Sequence, residues 1–291
     1  MPKKIGLFWK KTGNDSVDCC LCSHRCRIAN GSFGVCKVRQ NIGGELFTFA
    51  YGNVVAANID PVEKKPLRHF LSGTATYSIA IAGCNFRCQF CQNWAISQVE
   101  GSSNHSRGKF IAPNEIVDSA VDSSCRSISY TYTEPTIFFE YAAEVGVQAR
   151  KIGLKNIFVS NGFMTSEVIE KASTFLDAAN IDLKFFSEES YKRLCNGRLQ
   201  PVLNTIKIMK NMGIWVEVTT LIIPGVNDSE EELVNIAEFI AETGKDIPWH
   251  VSRFHPDYHY QSGSLTPIET IEKAVEIGKA SGLKQVYPGN I

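Results

Sequence analysis

Gly83-Cys84-Asn85-Phe86-Arg87-Cys88-Gln89-Phe90-Cys91-Gln92-Asn93-Trp94 decides how this chain is read. Its cysteines are spaced C-x3-C-x2-C, with Phe90 directly before the last. A [4Fe–4S] cube normally takes four cysteine thiolates. This segment offers three, which leaves one iron open to a ligand that is not protein. The preceding run, Tyr77-Ser78-Ile79-Ala80-Ile81-Ala82, is short and apolar and is ended by Gly83, the pattern of a buried strand. The cysteines then occupy the loop at that strand's C-terminal end, where β/α barrels place their chemistry. The competing use of close cysteines is a zinc knuckle, and a structural zinc site takes four ligands where this segment has three.

Downstream of this loop the chain alternates strand and helix. Strand patterns fall near 77–82, 127–132, 156–160, 180–183, 215–223, 250–254 and 285–287. Helical patterns fall between them, at 113–123, 136–151, 165–175, 203–212, 229–241 and 267–280. Pro113 suits a first helical turn, and Asp228 or Ser229 is placed to cap the helix that opens with Glu230, Glu231 and Glu232. Such alternation implies a parallel sheet with right-handed crossovers. Six repeats and a seventh strand are too few for a closed eight-stranded barrel, so the expected fold is α/β, a partial (β/α)6 TIM-like barrel over residues 73–291.

In such a barrel the C-terminal strand ends converge on the cysteine loop, and polar residues gather there. Glu134 follows the second strand, and its carboxylate suits a charge-assisted contact with an ammonium. The same carboxylate would also serve an ordinary helix N-terminus. Ser160 and Asn161 follow the third strand with Gly162, as donors to a ligand or as a plain polar turn. Asp182 and Lys184 end the fourth strand, and period-two alternation turns both to one face. Arg253 and His255 end the sixth. A buried Lys/Asp pair is rare without a role.

Residues 1–72 read as a small cysteine-rich module with a β hairpin. Cys19, Cys22, Cys26 and Cys36 give C-x2-C-x3-C-x9-C, a set that suits zinc or a second iron–sulfur cluster; Cys20 is a spare that could replace Cys19. Residues 45–57 alternate apolar and polar groups behind Gly43-Gly44, as a hairpin or small sheet does. The charged run Asp60-Pro61-Val62-Glu63-Lys64-Lys65-Pro66-Leu67-Arg68-His69-Phe70 is a candidate cover for the site. Cys125 and Cys195 stand alone and read as small buried residues. Ten cysteines without an export signal point to metal or catalysis rather than disulfides. The chain has 291 residues, and 30 basic side chains balance 30 acidic ones. That balance gives no argument for a nucleic-acid or membrane partner. The basic start has no long apolar run behind it, so a cytoplasmic location is expected.

The cysteine loop resembles that of the radical SAM enzymes. Nearly the whole chain resembles the AmmeMemoRadiSam-system members of that family, which are related to the pyruvate formate-lyase-activating enzymes. The likeness rests on the four-cysteine group, on Asp60 to Leu67, on the cluster loop through Gln92-Asn93-Trp94-Ala95-Ile96-Ser97, on Tyr132-Thr133-Glu134-Pro135-Thr136, and on Tyr287-Pro288-Gly289-Asn290. It implies a [4Fe–4S] cluster on Cys84, Cys88 and Cys91 whose open iron binds S-adenosylmethionine. One electron then cleaves the sulfonium to a 5′-deoxyadenosyl radical that abstracts hydrogen from a substrate. Glu134 stands where the family's Gly-Gly-Glu-Pro motif holds the methionine amino group, although Thr133 replaces the second glycine. Asp182-Leu183-Lys184 matches an activase motif near the methionyl group. Phe90, Ser160, Asn161 and His255 complete the candidate cofactor-binding set. An electron donor such as a flavodoxin or ferredoxin is implied, and an activase likeness implies a protein substrate. The alternatives are a small-molecule substrate, or a non-enzymatic iron–sulfur or zinc protein for electron transfer or docking. Glu134, Asp182 and Lys184 speak against that last class, because an electron carrier has no need of them.

Overall fold

The computed structural model describes residues 3–99, 108–261 and 263–291. Six short strands come first: β1 (Lys4–Ile5), β2 (Trp9–Lys11), β3 (Val17–Cys19), β4 (Arg27–Ile28), β5 (Arg39–Ile42) and β6 (Glu45–Thr48). They form two small sheets, ordered β1-β6-β5 and β2-β3-β4. Gly43 and Gly44 turn β5 into β6, both with positive φ (65° and 83°), which a two-residue hairpin turn demands and glycine tolerates.

The expected hairpin over 45–57 is divided between two sheets. Residues 45–48 stay with β5, whereas β7 (Asn53–Pro61) leaves to pair antiparallel with β8 (Ala75–Ile81). A parallel sheet has an unpaired edge at its first strand, and β7 covers it. Beyond β7 lies β9 (Lys109–Phe110).

The remaining strands are β10 (Ser127–Tyr130), β11 (Lys155–Ser160), β12 (Ala178–Asp182), β13 (Trp215–Ile222), β14 (Trp249–Arg253) and β15 (Val286–Gly289). The large sheet runs β15-β14-β13-β12-β11-β10-β8-β7-β9, and every pairing from β8 through β15 is parallel. Six crossover helices join these strands: α1 (Pro113–Asp122), α2 (Phe139–Lys151), α3 (Ser166–Ala172), α4 (Leu199–Asn211), α5 (Glu230–Thr243) and α6 (Ile268–Ala280). The open six-repeat barrel expected from the sequence is thus the fold. Each helix buries an apolar stripe, for example Val202, Ile206 and Met209 of α4. Of the two candidate caps for α5, Ser229 is the one used: its hydroxyl accepts from the Glu232 N–H at 3.2 Å. Helix α3 is shorter than the 165–175 pattern, and the Thr165 hydroxyl donates to the Cys20 carbonyl at 2.8 Å instead of capping it.

The charged run after β7 does not cover the cysteine loop. Because β7 is antiparallel to β8, it delivers residues 62–69 to the opposite, N-terminal end of the barrel. Val62 and Leu67 pack there on Ile157, Ala178 and Trp215, at the beginnings of β11, β12 and β13. Lys65 is 1 % exposed and ion-pairs with Asp60 at 2.7 Å. Asn180 donates to the Pro66 carbonyl at 2.8 Å. The fully buried Glu217 accepts from the Arg68 and His69 N–H groups, Trp215 Nε1 and His250 Nε2. His69 meets Tyr287 of β15 at 2.6 Å. By composition this run reads as a solvated loop; Lys64, Arg68 and His69 do keep exposed side chains, but Lys65, Asp60 and the backbone of the run close the barrel floor.

That floor makes a testable statement about acid. Burial pushes the Glu217 carboxyl up, but His250, the two N–H groups and Trp215 outweigh it and hold it below its ordinary value. A depressed carboxylate stabilises the fold above its unfolded value, about 4.3, and that stability is lost as pH falls through the folded value. Glu217→Gln should therefore cost roughly 1.5–3 kcal/mol near pH 7 in urea unfolding. The gap from wild type should narrow below about pH 4. A gap that stays constant down to pH 3 would contradict this role.

Candidate active site at the C-terminal strand ends

Gly83 ends β8 with a φ of 111°, and a Cβ there would lie 2.9 Å from Val38 and 3.2 Å from the Cys36 carbonyl oxygen. Only glycine lets the chain turn into the cysteine loop beneath the N-terminal module. Two backbone bonds then pin the loop: Arg87 N–H to the Cys195 carbonyl at 2.8 Å and Gln89 N–H to the Leu194 carbonyl at 3.0 Å. Both acceptors lie in the π-helical turn Tyr191–Cys195, a wide turn of the kind often found at functional sites.

Cys84 and Cys88 are buried and Cys91 is half-buried. The Cys84 sulfur accepts from Phe86 N–H at 3.3 Å, and Cys91 meets the Ser97 hydroxyl at 3.0 Å. Burial pushes the Cys84 and Cys91 thiols up. The Cys88 thiol is pushed up first by its contact with Cys195 and then by burial. These thiols therefore stay protonated on their own, and a bound metal would have to displace the protons. Beside Cys84, the Asn85 side-chain NH2 is buried and has no partner. Three thiols on one loop next to a donor without an acceptor fit the cube whose fourth corner is free, because its sulfides accept hydrogen bonds.

Glu134 is 1 % exposed and gathers the second and third strand ends. Its Oε1 accepts from the Thr136 N–H at 3.0 Å and the Ser160 hydroxyl at 2.8 Å, and its Oε2 accepts from the Asn161 N–H at 2.9 Å. Burial raises its pKa, and these donors pull the other way without reversing the shift. Asn161 joins this network to the cysteine loop: its side-chain amide donates to Asn85 Oδ1 at 2.7 Å and reaches the Cys84 sulfur at 3.7 Å. Thr133, in the place of the motif glycine, donates to the Ile81 carbonyl at 2.7 Å.

Lys184 ion-pairs with Asp182 at 2.8 Å and lies 6.0 Å above the Phe90 ring. Burial works against its charge, but Asp182, Cys88 and Cys195 together raise its pKa well above the ordinary value. Phe90 packs edge-on against Phe185. His255 is exposed and meets the Gln92 amide at 2.9 Å, so the loop after β14 lies against the cysteine loop. Arg253 instead donates to the Thr266 carbonyl at 2.6 Å. Asn161 with Glu134, Lys184 with Asp182, and His255 thus each lie against the cysteine loop, and Arg253 does not.

Two participants escaped the sequence. Cys195 lies 3.5 Å from the Cys88 sulfur, and its isolation in the sequence gave no sign of a partner 107 residues away. Asn85 was visible inside the loop, but nothing marked it as buried and half-satisfied. In the N-terminal module, Cys19 and Cys36 are buried and Cys22 and Cys26 half-buried. Among the described residues, no three His, Cys, Asp or Glu side chains come close enough to hold a single metal ion, in either cysteine group. No helix there is long and apolar enough to cross a membrane.

A barrel of this topology with three cysteines at the end of its first strand defines a class of enzyme built around an iron–sulfur cluster and S-adenosylmethionine. Residues 78–240 match the radical SAM superfamily, and the chain belongs to it. An uncharacterized protein of Methanocaldococcus jannaschii is 44% identical over 98% of this chain and 84% of its own length. The pyruvate formate-lyase 1-activating enzyme of Escherichia coli K12 is 21% identical over 70% of this chain and 89% of its own. Among solved structures, a domain of pyruvate-formate lyase-activating enzyme from Bacteroides vulgatus matches 56% of this chain and 99% of that one, with a TM-score of 0.51 and 16% identity. Streptococcus suis SuiB bound to S-adenosylmethionine matches 73% of this chain and 50% of that one, with a TM-score of 0.57 and 14% identity. The chain is therefore an enzyme of this superfamily and a relative of the activating enzymes.

Proposed function

We propose that this protein is an activase-like radical SAM enzyme of the AmmeMemoRadiSam-system group that takes hydrogen from a protein substrate. The observation that carries the cofactor site is Asn161, whose side-chain amide reaches the Cys84 sulfur while its peptide N–H donates to the Glu134 carboxylate. One residue thereby fixes a cluster ligand relative to a buried anion. When bound, the cluster supplies the single electron that cleaves S-adenosylmethionine to a 5′-deoxyadenosyl radical. Cys84, Cys88 and Cys91 would hold three of its irons. Glu134 Oε2, with one protein donor, has a lone pair for the methionine ammonium. Lys184, kept charged by Asp182, lies on the same side as a partner for the carboxylate. Phe90, packed edge-on against Phe185, adds an apolar surface beside Lys184. Ser160 orients Glu134, and His255 closes the rim with Gln92. A flavodoxin or ferredoxin in the cytoplasm is the electron source this reading calls for.

Glu134→Gln keeps the shape and removes the charge. A hydrogen bond to a charged group is worth roughly 1.5–3 kcal/mol, so S-adenosylmethionine affinity should fall by about one to two decades. Calorimetry on reconstituted protein reads this directly, and unchanged binding in both Glu134→Gln and Lys184→Met would remove the two residues from the site.

A protein substrate is supported by the Asp182-Leu183-Lys184 strand end and by a sheet that stays open, with β15 and β9 as its two edges. An extended peptide entering along the open side would bring one Cα–H to the 5′ carbon. The test supplies candidate partners deuterated at glycine Cα. Deuterium should appear in 5′-deoxyadenosine only with the partner present. Stimulation by a low-molecular-weight fraction of cell extract, and not by the protein fraction, would replace the activase reading with a small-molecule one.

A further inference from the structure

Four of the five N-terminal cysteines turn toward one another, and the fifth turns away. Cys36, Cys19 and Cys26 all lie within electrostatic reach of the Cys22 thiol. The Cys19 N–H donates to the Cys26 carbonyl at 2.9 Å. The Cys20 sulfur faces the Asp18 carbonyl, and the Cys20 peptide bonds Phe8 and Thr165. The ambiguity between Cys19 and Cys20 therefore resolves to Cys19. Arg39, 1 % exposed, donates from Nη1 to the Cys19 sulfur at 3.2 Å, placing a buried cation beside a thiol.

Zinc has no redox chemistry, whereas an iron–sulfur cluster on the same four thiolates passes single electrons, so what the module adjoins decides between the two.

The module also lies directly against the cysteine loop of the barrel. The Arg87 guanidinium donates to the Val35 carbonyl, beside Cys36, and to the Cys84 carbonyl. His24 Nε2 meets the Asn85 carbonyl at 2.8 Å, two residues from Cys22 on one side and one residue from Cys84 on the other. Ser23 donates from its peptide N–H to the Phe163 carbonyl and from its hydroxyl to the Met164 carbonyl, and Arg198 donates to the Ser23 carbonyl. Two short hydrogen-bonded paths thus join the cysteine groups, and the half-buried Cys22 and Cys26 leave the module accessible from outside.

We propose that Cys19, Cys22, Cys26 and Cys36 hold a second iron–sulfur cluster, not zinc, and that it relays single electrons to the cluster on Cys84, Cys88 and Cys91. The inference rests on the cofactor reading given above. A one-electron donor of the reduced flavodoxin type reduces the outer cluster. That cluster passes the electron inward and returns to its oxidised state, and the inner cluster is reduced by one electron.

The Cys84→Ala/Cys88→Ala/Cys91→Ala variant, reconstituted anaerobically with iron and sulfide, should retain about four irons and four sulfides per chain. It should show an electron paramagnetic resonance signal after dithionite reduction. Zinc without sulfide, or no metal at all, overturns the proposal. In the fully reduced wild type, the spectra of the two clusters should be broadened by mutual spin coupling; two unbroadened, independent signals overturn the relay. The Cys19→Ser/Cys22→Ser/Cys26→Ser/Cys36→Ser variant, with its inner cluster verified by its own signal, separates the donors. Its 5′-deoxyadenosine yield should stay within about twofold of wild type with dithionite and fall by at least about tenfold with reduced flavodoxin, a loss of roughly one decade or 1.4 kcal/mol. Equal yields with both donors also overturn the relay. If wild type yields no 5′-deoxyadenosine while the triple variant keeps its cluster, the failure belongs to the catalytic reading and not to the outer cluster.

Discussion

Replacing Cys84, Cys88 and Cys91 with Ala, singly or together, abolishes production of 5′-deoxyadenosine from S-adenosylmethionine under anaerobic reduction. No graded loss is expected, because the reaction depends on a metal centre that three ligands must hold at once. Each thiol has its own supporting contact: Phe86 N–H and Asn161 for Cys84, Cys195 for Cys88, and Ser97 for Cys91. Cys195, at 3.5 Å from Cys88, is near enough to substitute. The Cys88→Ala variant is therefore the most searching of the three. Residual activity there that disappears in Cys88→Ala/Cys195→Ala would show that Cys195 can take over. Activity in the triple variant would remove the loop from the mechanism.

Arg39→Met is expected to destabilise the protein by about 3–5 kcal/mol, because it leaves a buried carboxylate without its cation. Arg39 and Glu140 form an ion pair with side chains 1% and 3% exposed. The pair joins the N-terminal module to helix α2 of the barrel. Glu140 also accepts from the Leu7 N–H at 2.6 Å, and Arg39 donates to the Leu7 carbonyl at 2.9 Å. Burial opposes the Arg39 charge, but Glu140 and Cys19 more than offset it and keep the guanidinium protonated. Thermal unfolding of Arg39→Met and Glu140→Leu should show large losses, and the double variant should recover much of the difference. Simple additivity of the two losses would mean that the side chains do not act as a pair.

The cluster loop and the barrel were legible because their signals are local. Three cysteines within eight residues and a polar residue at each strand end need no knowledge of distant partners. The strand–helix alternation was legible because buried parallel strands are short apolar runs and the helices between them keep a 3.6-residue stripe. The barrel floor was not legible. Lys65 looks like a solvent-facing residue until Asp60 is seen beside it, and Glu217, which takes the Arg68 peptide N–H, is 149 residues from that segment. Strand β7 was split from its hairpin by an edge that exists only once β8 is in place. Cys195 was missed for the same reason: a lone cysteine carries no spacing, and only the fold brings it to Cys88.

The central claim is that this chain binds S-adenosylmethionine at a reducible cluster on Cys84, Cys88 and Cys91 and cleaves it. The direct measurement is mass-spectrometric detection of 5′-deoxyadenosine from anaerobically reconstituted wild-type protein given S-adenosylmethionine and dithionite. The account predicts 5′-deoxyadenosine and methionine in equal amounts, dependent on the reductant. Protein with a full, reducible cluster on these cysteines that releases neither product would contradict it.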